Sequence, residues 1–258
     1  MSDMTMTAAP PSFRVGAVFG RTFELLFRDF GKFFGLSLLA WAPFLLITLL
    51  AGGAQPGLAG AVPPGSANLA RLGFSFLGIG VLWILLSVLC QAIILYGAFE
   101  QMRGKSFAVG ESLKRGLARF FPILGVILCM AFGAGFASIL LFVPGIILYL
   151  MWLVAVPVCI VEERGPMASL GRSRELTKGS RWKLFGIIMV IAVASWLVQL
   201  IVQFVFLAVA GKLLAALATF LSSALIAAYR SILGAVVYHD LRVAREGIDT
   251  DRIAAVFD

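Results

Sequence analysis

The chain has 258 residues, of which 61% are apolar and 13% charged, and its formal net charge is +8. An ordinary soluble domain carries about 25% charged residues, enough polar surface to cover its core. Soluble globular, disordered, collagen-like and disulfide-scaffold classes are therefore excluded, and the sequence reads as an all-α integral membrane protein.

Residues 1–11 are expected to be disordered. The next segment is amphipathic at helical spacing: Val15, Phe19, Phe23, Leu26 and Phe30 share one face, and Arg14, Arg21 and Arg28 recur every seventh residue. Glu24 with Arg28 is a favourable i,i+4 pair, as is Glu111 with Arg115 further on. Six apolar runs then have the roughly 17–25 residues needed to cross a hydrocarbon layer as helices. They lie at about 33–50, 73–99, 120–142, 145–161, 184–210 and 213–238. The first is longer than the 7–15 apolar residues usual in a signal peptide, and Glu24 and Asp29 precede it, so it reads as a retained helix. Gly52–Leu69, rich in Gly, Pro and Ala, is expected to be a flexible external loop. The third and fourth runs touch at Val143-Pro144-Gly145, a turn signal, and the fifth and sixth meet at Gly211-Lys212. Both junctions predict tight antiparallel hairpins.

The basic segments repeat. Ser12-Phe13-Arg14-Val15-Gly16 opens the first and Ser106-Phe107-Ala108-Val109-Gly110 the second, with a more distant third copy at Gly165-Pro166-Met167-Ala168-Ser169-Leu170. Each leads into aromatics and a helical hairpin: Phe33-Phe34-Gly35, Phe120-Phe121-Pro122 and Trp182-Lys183-Leu184-Phe185. Gly171 and Gly179 are expected to interrupt the third copy. The predicted architecture is a polytopic domain over 12–240, with six transmembrane helices as three hairpins and a short tail over 241–258. A basic amphipathic interfacial helix precedes each hairpin.

Lys and Arg set the orientation. Eighteen fall on the side of the termini and two, Arg71 and Lys212, on the opposite side, with Arg230 inside the sixth run. The termini are expected to be cytoplasmic. The positive charge is then first a topology signal. It sits in separate loops without a nucleic-acid motif, and contact with anionic lipid headgroups explains it. A protein partner or a homo-oligomer stays open.

One stretch carries a family resemblance. Val143-Pro144-Gly145-Ile146 is followed by Ala155-Val156-Pro157-Val158, then Val161-Glu162-Glu163, Ser169-Leu170-Gly171-Arg172-Ser173-Arg174-Glu175-Leu176-Thr177-Lys178-Gly179 and Trp182. With the ending Tyr238-His239-Asp240-Leu241-Arg242, it resembles the bacterial YciC-like family and the membrane domain sometimes fused to glycerophosphoryl diester phosphodiesterases. The resemblance implies a multi-helix bacterial inner-membrane protein and little about activity. The phosphodiesterase does not carry over, because its catalytic domain requires two histidines and this chain has only His239.

Cys90, Cys129 and Cys159 lie in separate apolar runs and read as small buried hydrophobes. With one histidine they do not make a zinc site. Neither a cofactor motif nor a nucleophile–base pair is present, so no enzyme is predicted. Arg230 is the sharpest candidate for function, since an arginine facing lipid at the helix centre costs about 2.5–3.5 kcal/mol. Thr219, Ser222, Ser223, Ala227 and Arg230 form a small or polar stripe, with Gln91, Gln199, Gln203 and Glu100 as candidate partners. Three readings of Arg230 stay open: a ligand or pathway site, an interhelical hydrogen bond, or an interfacial residue beyond a helix ending near Tyr229. Pro43, Pro144 and Pro157 interrupt or bound helices, and Gly31-x-x-x-Gly35 and Ala131-x-x-x-Gly135 are candidate close-packing faces. The leading reading is a non-enzymatic protein acting by lipid or protein interaction. Its rival is a transporter or channel for a hydrophobic or amphipathic solute.

Overall fold

The computed structural model describes residues 15–50 and 68–246, and every element in them is α-helical. The expected disordered start, the bulk of the external loop and the end of the tail lie outside the described residues. In chain order the helices are α1 (Val15–Arg28), α2 (Phe30–Leu50), α3 (Asn68–Met102), α4 (Val109–Ala118), α5 (Phe120–Leu140), α6 (Phe142–Trp152), α7 (Ala155–Val161) and α8 (Pro166–Thr177). Two more, α9 (Arg181–Val209) and α10 (Gly211–Glu246), are joined at a sharp break. Five segments are long and apolar enough to cross a membrane: Gly78–Met102 of α3, Phe120–Ser138 of α5, Val143–Val161 of α6–α7, α9 and α10. The bent pair α1–α2 makes a sixth if it counts as one span.

The breaks have local causes. Gly211 has φ 77°, a left-handed value that favours glycine, and the chain reverses there. Gln199 and Ser223, each twelve residues from Gly211, are hydrogen-bonded at 2.8 Å, which requires α9 and α10 to run antiparallel. Between α5 and α6 the turn falls on Leu141 (φ −154°, ψ 123°), earlier than the predicted Val143-Pro144-Gly145. Pro144 instead sits in the first turn of α6, where its missing N–H leaves no bond unmade. Gly145 lets that turn press on α5, since a Cβ there would lie 2.7 Å from the Ser138 Cα. Pro157 cannot donate to the carbonyl four residues back, and the helix opens at Leu153-Val154, between α6 and α7. Pro43, by contrast, lies inside α2 without ending it.

The two predicted small-residue faces are not contacts. Nothing approaches within 4 Å of a Cβ built on Gly31, Gly35 or Gly135. The close approaches are at other glycines. The ring of Phe107 lies against Gly97, and Trp152 against Gly133, where a Cβ would meet its ring at 2.7 Å.

Helix α1 meets α2 at 91°. Its buried residues are Val18, Thr22, Leu25 and Leu26; of the predicted apolar face Leu26 is buried and Val15 and Phe19 pack on the core, while Phe23 is open. Phe23 and Phe27 are exposed, stacked on one another, and continue into Phe30 and Phe34. At 100° per residue α1 therefore has three faces: one packed on protein, one aromatic and open, and one carrying Arg21, Glu24 and Arg28. The Glu24–Arg28 pair does not form, whereas Arg115 bonds Glu111 as expected. The α1–α2 corner is held by Asp29, which receives Lys32 at 2.9 Å and the Gln101 amide. Lys32 also donates to the Phe107 carbonyl at 2.8 Å, tying the corner to the α3–α4 turn.

Burial concentrates at the end of the bundle where α1, α4 and α8 lie. Phe33, Leu95, Ile123, Ile160, Leu176, Leu184, Ile232, Tyr238 and Leu241 are among its fully buried side chains. Gly171 sits inside α8 without breaking it, and Gly179 (φ 86°) forms the turn after it. Helix α10 continues to Glu246, so residues 241–246, predicted as tail, are helical and Leu241 is core. The far halves of α5 and α9 are largely apolar and exposed, with Phe132, Phe136, Trp196, Ile201 and Phe204 open.

Candidate functional site

Two polar assemblies stand out in this apolar bundle. The first is a network where α7, α8 and α10 meet. Glu162 ends α7 and is only 9% exposed at its side chain. It accepts the Tyr238 hydroxyl at 3.1 Å, Arg164 Nε at 2.8 Å and Arg172 Nε at 3.2 Å. Arg172 also pairs with Glu246, and Arg242 bonds the other oxygen of Glu246 at 2.9 Å. Nearby, Asp240 receives Arg21 of α1 at 2.8 Å. Ser173 and Thr177 of α8 reach the Met151 carbonyl at 2.8 and 3.4 Å. That carbonyl lies in the last turn of α6, where no helical donor follows.

Seven of the motif residues, Glu162, Arg172, Ser173, Thr177, Tyr238, Asp240 and Arg242, are thereby brought together, and Leu176 is buried beside them. Trp182 is not part of the network: it is 87% exposed and touches Phe185 edge-on. Pro144, Gly145 and Pro157 shape backbone, as described above. Every charge in the network has a partner, so its chemistry is that of a clamp.

The second assembly is a partly open cavity of about 860 Å³ lined by α2, α3, α5, α6–α7, α9 and α10. Its walls are mainly aliphatic, including Ile94, Ile127, Met130, Ile146, Leu150 and Ile188. Arg230 lines it, together with Gln91, Ser37 and Trp41. Arg230 is exposed to this space and makes no hydrogen bond or ion pair with any described residue. Ser37 is 1% exposed, and its hydroxyl has no partner. Ser138 and Ser231, also on the cavity wall, donate to carbonyls of their own helices.

The predicted polar stripe divides. Ser222 and Ser223 bond Gln199 across the α9–α10 hairpin, at 3.3 and 2.8 Å, and so act as interhelical links. Gln203 is half-buried and bonds no described residue, Gln91 faces the cavity, and Glu100 accepts the Ala108 amide at 3.4 Å. None of the four candidate partners reaches Arg230. It lies nineteen residues from Gly211, or about 28 Å along the helix. Next to it, Tyr229 packs on Phe23 of α1 at 4.8 Å between ring centroids. Arg230 is thus level with the aromatic face of α1.

Cys90 and Cys159 are buried and Cys129 half-buried, all free, and Cys90 borders the cavity. Among the described residues no group of three His, Cys, Asp or Glu is placed to hold a metal. Ser37 and Trp41 escaped the sequence reading because a single serine or tryptophan in an apolar run gives no signal. Glu246 did so because it falls after the motif.

Five long apolar helical segments leave much of their surface uncovered by the bundle, which defines the class: an all-helical protein compatible with multiple passes through a membrane. No family model matches the chain, and neither does any curated protein or solved structure.

Proposed function

We propose that this is a non-enzymatic membrane protein that binds an amphipathic, lipid-like molecule between its helices. The cavity carries this reading. Its volume falls in the range of about 300–1,000 Å³ typical of small-molecule sites, and aliphatic walls with few polar groups suit a ligand with an apolar body. In this reading α2 is the first of six spans, paired as three hairpins behind the interfacial helices α1, α4 and α8. The aromatic face of α1 rests on the hydrocarbon and its basic face meets anionic headgroups. The Lys/Arg asymmetry supports a cytoplasmic location for that end and both termini. The motif residues support membership of the YciC-like group in a bacterial inner membrane.

The test is native mass spectrometry of the protein extracted in native lipid nanodiscs. A defined amphiphile that stays bound after bulk lipid is stripped is expected. A bare polypeptide under those conditions would remove the reading.

A second reading, transport of the same molecule, is favoured by the break at Leu153-Val154. Leu153, Val156 and Pro157 flank it and line the cavity, and interrupted helices line transport sites. Proteoliposomes that speed transbilayer movement of a fluorescent lipid would support it, and a rate equal to protein-free vesicles would leave binding alone.

A further inference from the structure

We infer that the cavity selects an acidic amphiphile, with Arg230 holding the anionic headgroup and the aliphatic walls receiving the chain. This rests on the proposed binding function and names the chemistry of its ligand. Three observations carry it.

Arg230 is a permanent cation with five N–H donors and no acceptor among the described residues. Exposed to the cavity at the level of α1, it has no counter-charge among the described residues. No carboxylate lines the cavity. The nearest acidic groups on α7 and α10, Glu162, Asp240 and Glu246, are held by Tyr238, Arg21, Arg164, Arg172 and Arg242 in the network above. An anion entering this space therefore meets one uncompensated positive charge and no negative one, whereas a zwitterion brings a cationic group that finds no partner.

Depth is the second observation. Arg230 lies level with the aromatic face of α1, so a headgroup on it sits just beneath the surface that α1 marks. From there the cavity runs toward Ser138 and Gly145 at the α5–α6 turn, past Ile94, Ile127, Met130 and Leu150. That is the direction an acyl chain takes from a headgroup.

The third observation is Gln91, which stands on the cavity wall and bonds no described residue. Its amide suits the ester or acid oxygens next to a headgroup.

A carboxylate from a fatty acid and a phosphate from a lysophospholipid share this chemistry. The test titrates the full-length protein, in neutral detergent, with palmitic acid, lysophosphatidylglycerol and zwitterionic lysophosphatidylcholine, read by native mass spectrometry. Wild type is expected to prefer one or both anions, and which one binds identifies the source. Arg230→Gln should weaken the anions by about tenfold to a hundredfold, the worth of hydrogen bonds to a charged group, and leave the zwitterion unchanged. Arg230→Lys should recover part of the loss. Ala227→Phe fills the space beside Arg230 while keeping its charge, and should weaken all three probes. If wild type held the zwitterion as tightly as the anions, or if Arg230→Gln changed nothing, the selectivity inference would fall while amphiphile binding stood. If none of the three bound, both would fall.

Discussion

The Tyr238 hydroxyl donates to Glu162 Oε1 at 3.1 Å and so ties α10 to the end of α7 across 76 residues of sequence. The same carboxylate holds Arg164 and Arg172, which makes Glu162 the hub that joins three helices at the cavity's basic end. Removing the hydroxyl alone should be mild. Tyr238→Phe is expected to lower unfolding stability in detergent by about 1 kcal/mol, the net worth of one hydrogen bond. Glu162→Gln should cost more, about 1.5–3 kcal/mol, because Arg164 loses its counter-charge and Arg172 one of its counter-charges, while the Tyr238 hydroxyl loses a charged acceptor. Thermal unfolding followed by circular dichroism checks both, and an equal loss in the two variants would contradict the hub.

Ser173 satisfies a carbonyl that helix geometry leaves without a donor. The Met151 oxygen stands in the last turn of α6, and the break at Leu153-Val154 removes the next turn that would have bonded it. Ser173→Ala is expected to destabilise the protein by about 1–2 kcal/mol. Thr177→Val alone should cost less, since its contact with that oxygen is the longer one at 3.4 Å. The reverse order of melting temperatures would show that Thr177 carries the cap.

Two glycines of similar appearance in the sequence should respond in opposite directions. Gly145→Ala places a methyl against the backbone of Ser138 and should cost about 1–3 kcal/mol through displacement of the hairpin. Gly31→Ala meets nothing within 4 Å and should stabilise α2 by up to about 1 kcal/mol. Their melting temperatures relative to wild type decide the matter.

The α1–α2 corner should be acid-sensitive. Burial by itself raises the Asp29 carboxyl, but hydrogen bonds from Lys32 and Gln101 and the charge of Lys32 outweigh it and hold the group below its ordinary value. A carboxyl lowered in the folded state contributes stability that is full above its unfolded value, about 3.9, and is lost as pH falls through the lowered folded value. Wild type should therefore lose more stability than Asp29→Asn as the pH is lowered from about 5 to 3. Parallel melting curves over that interval would mean that the corner does not depend on the charge.

What the sequence determined by itself was class and segmentation. Apolar content and run length alone exclude a soluble fold, because hydration of backbone and apolar surface sets both limits. Gly211 was legible as a junction because only its φ of 77° was at stake, a local property. The Leu141 turn was misplaced by a few residues, since Pro and Gly mark the first turn of a helix as well as a reversal. The motif residues were legible as a set, but their union around Glu162 and the Met151 carbonyl was not, as it depends on where α8 and α10 cross α6–α7. The apolar face of α1 was legible but what covers it was not, because periodicity counts apolar residues and does not say whether protein or lipid meets them: Val15, Phe19 and Leu26 pack on the bundle, while Phe23 stays open. For Arg230 the sequence supplied the residue and the cost of burying it. That it faces a cavity with no partner, level with α1, was decided only when six helices from the whole chain lined a common space.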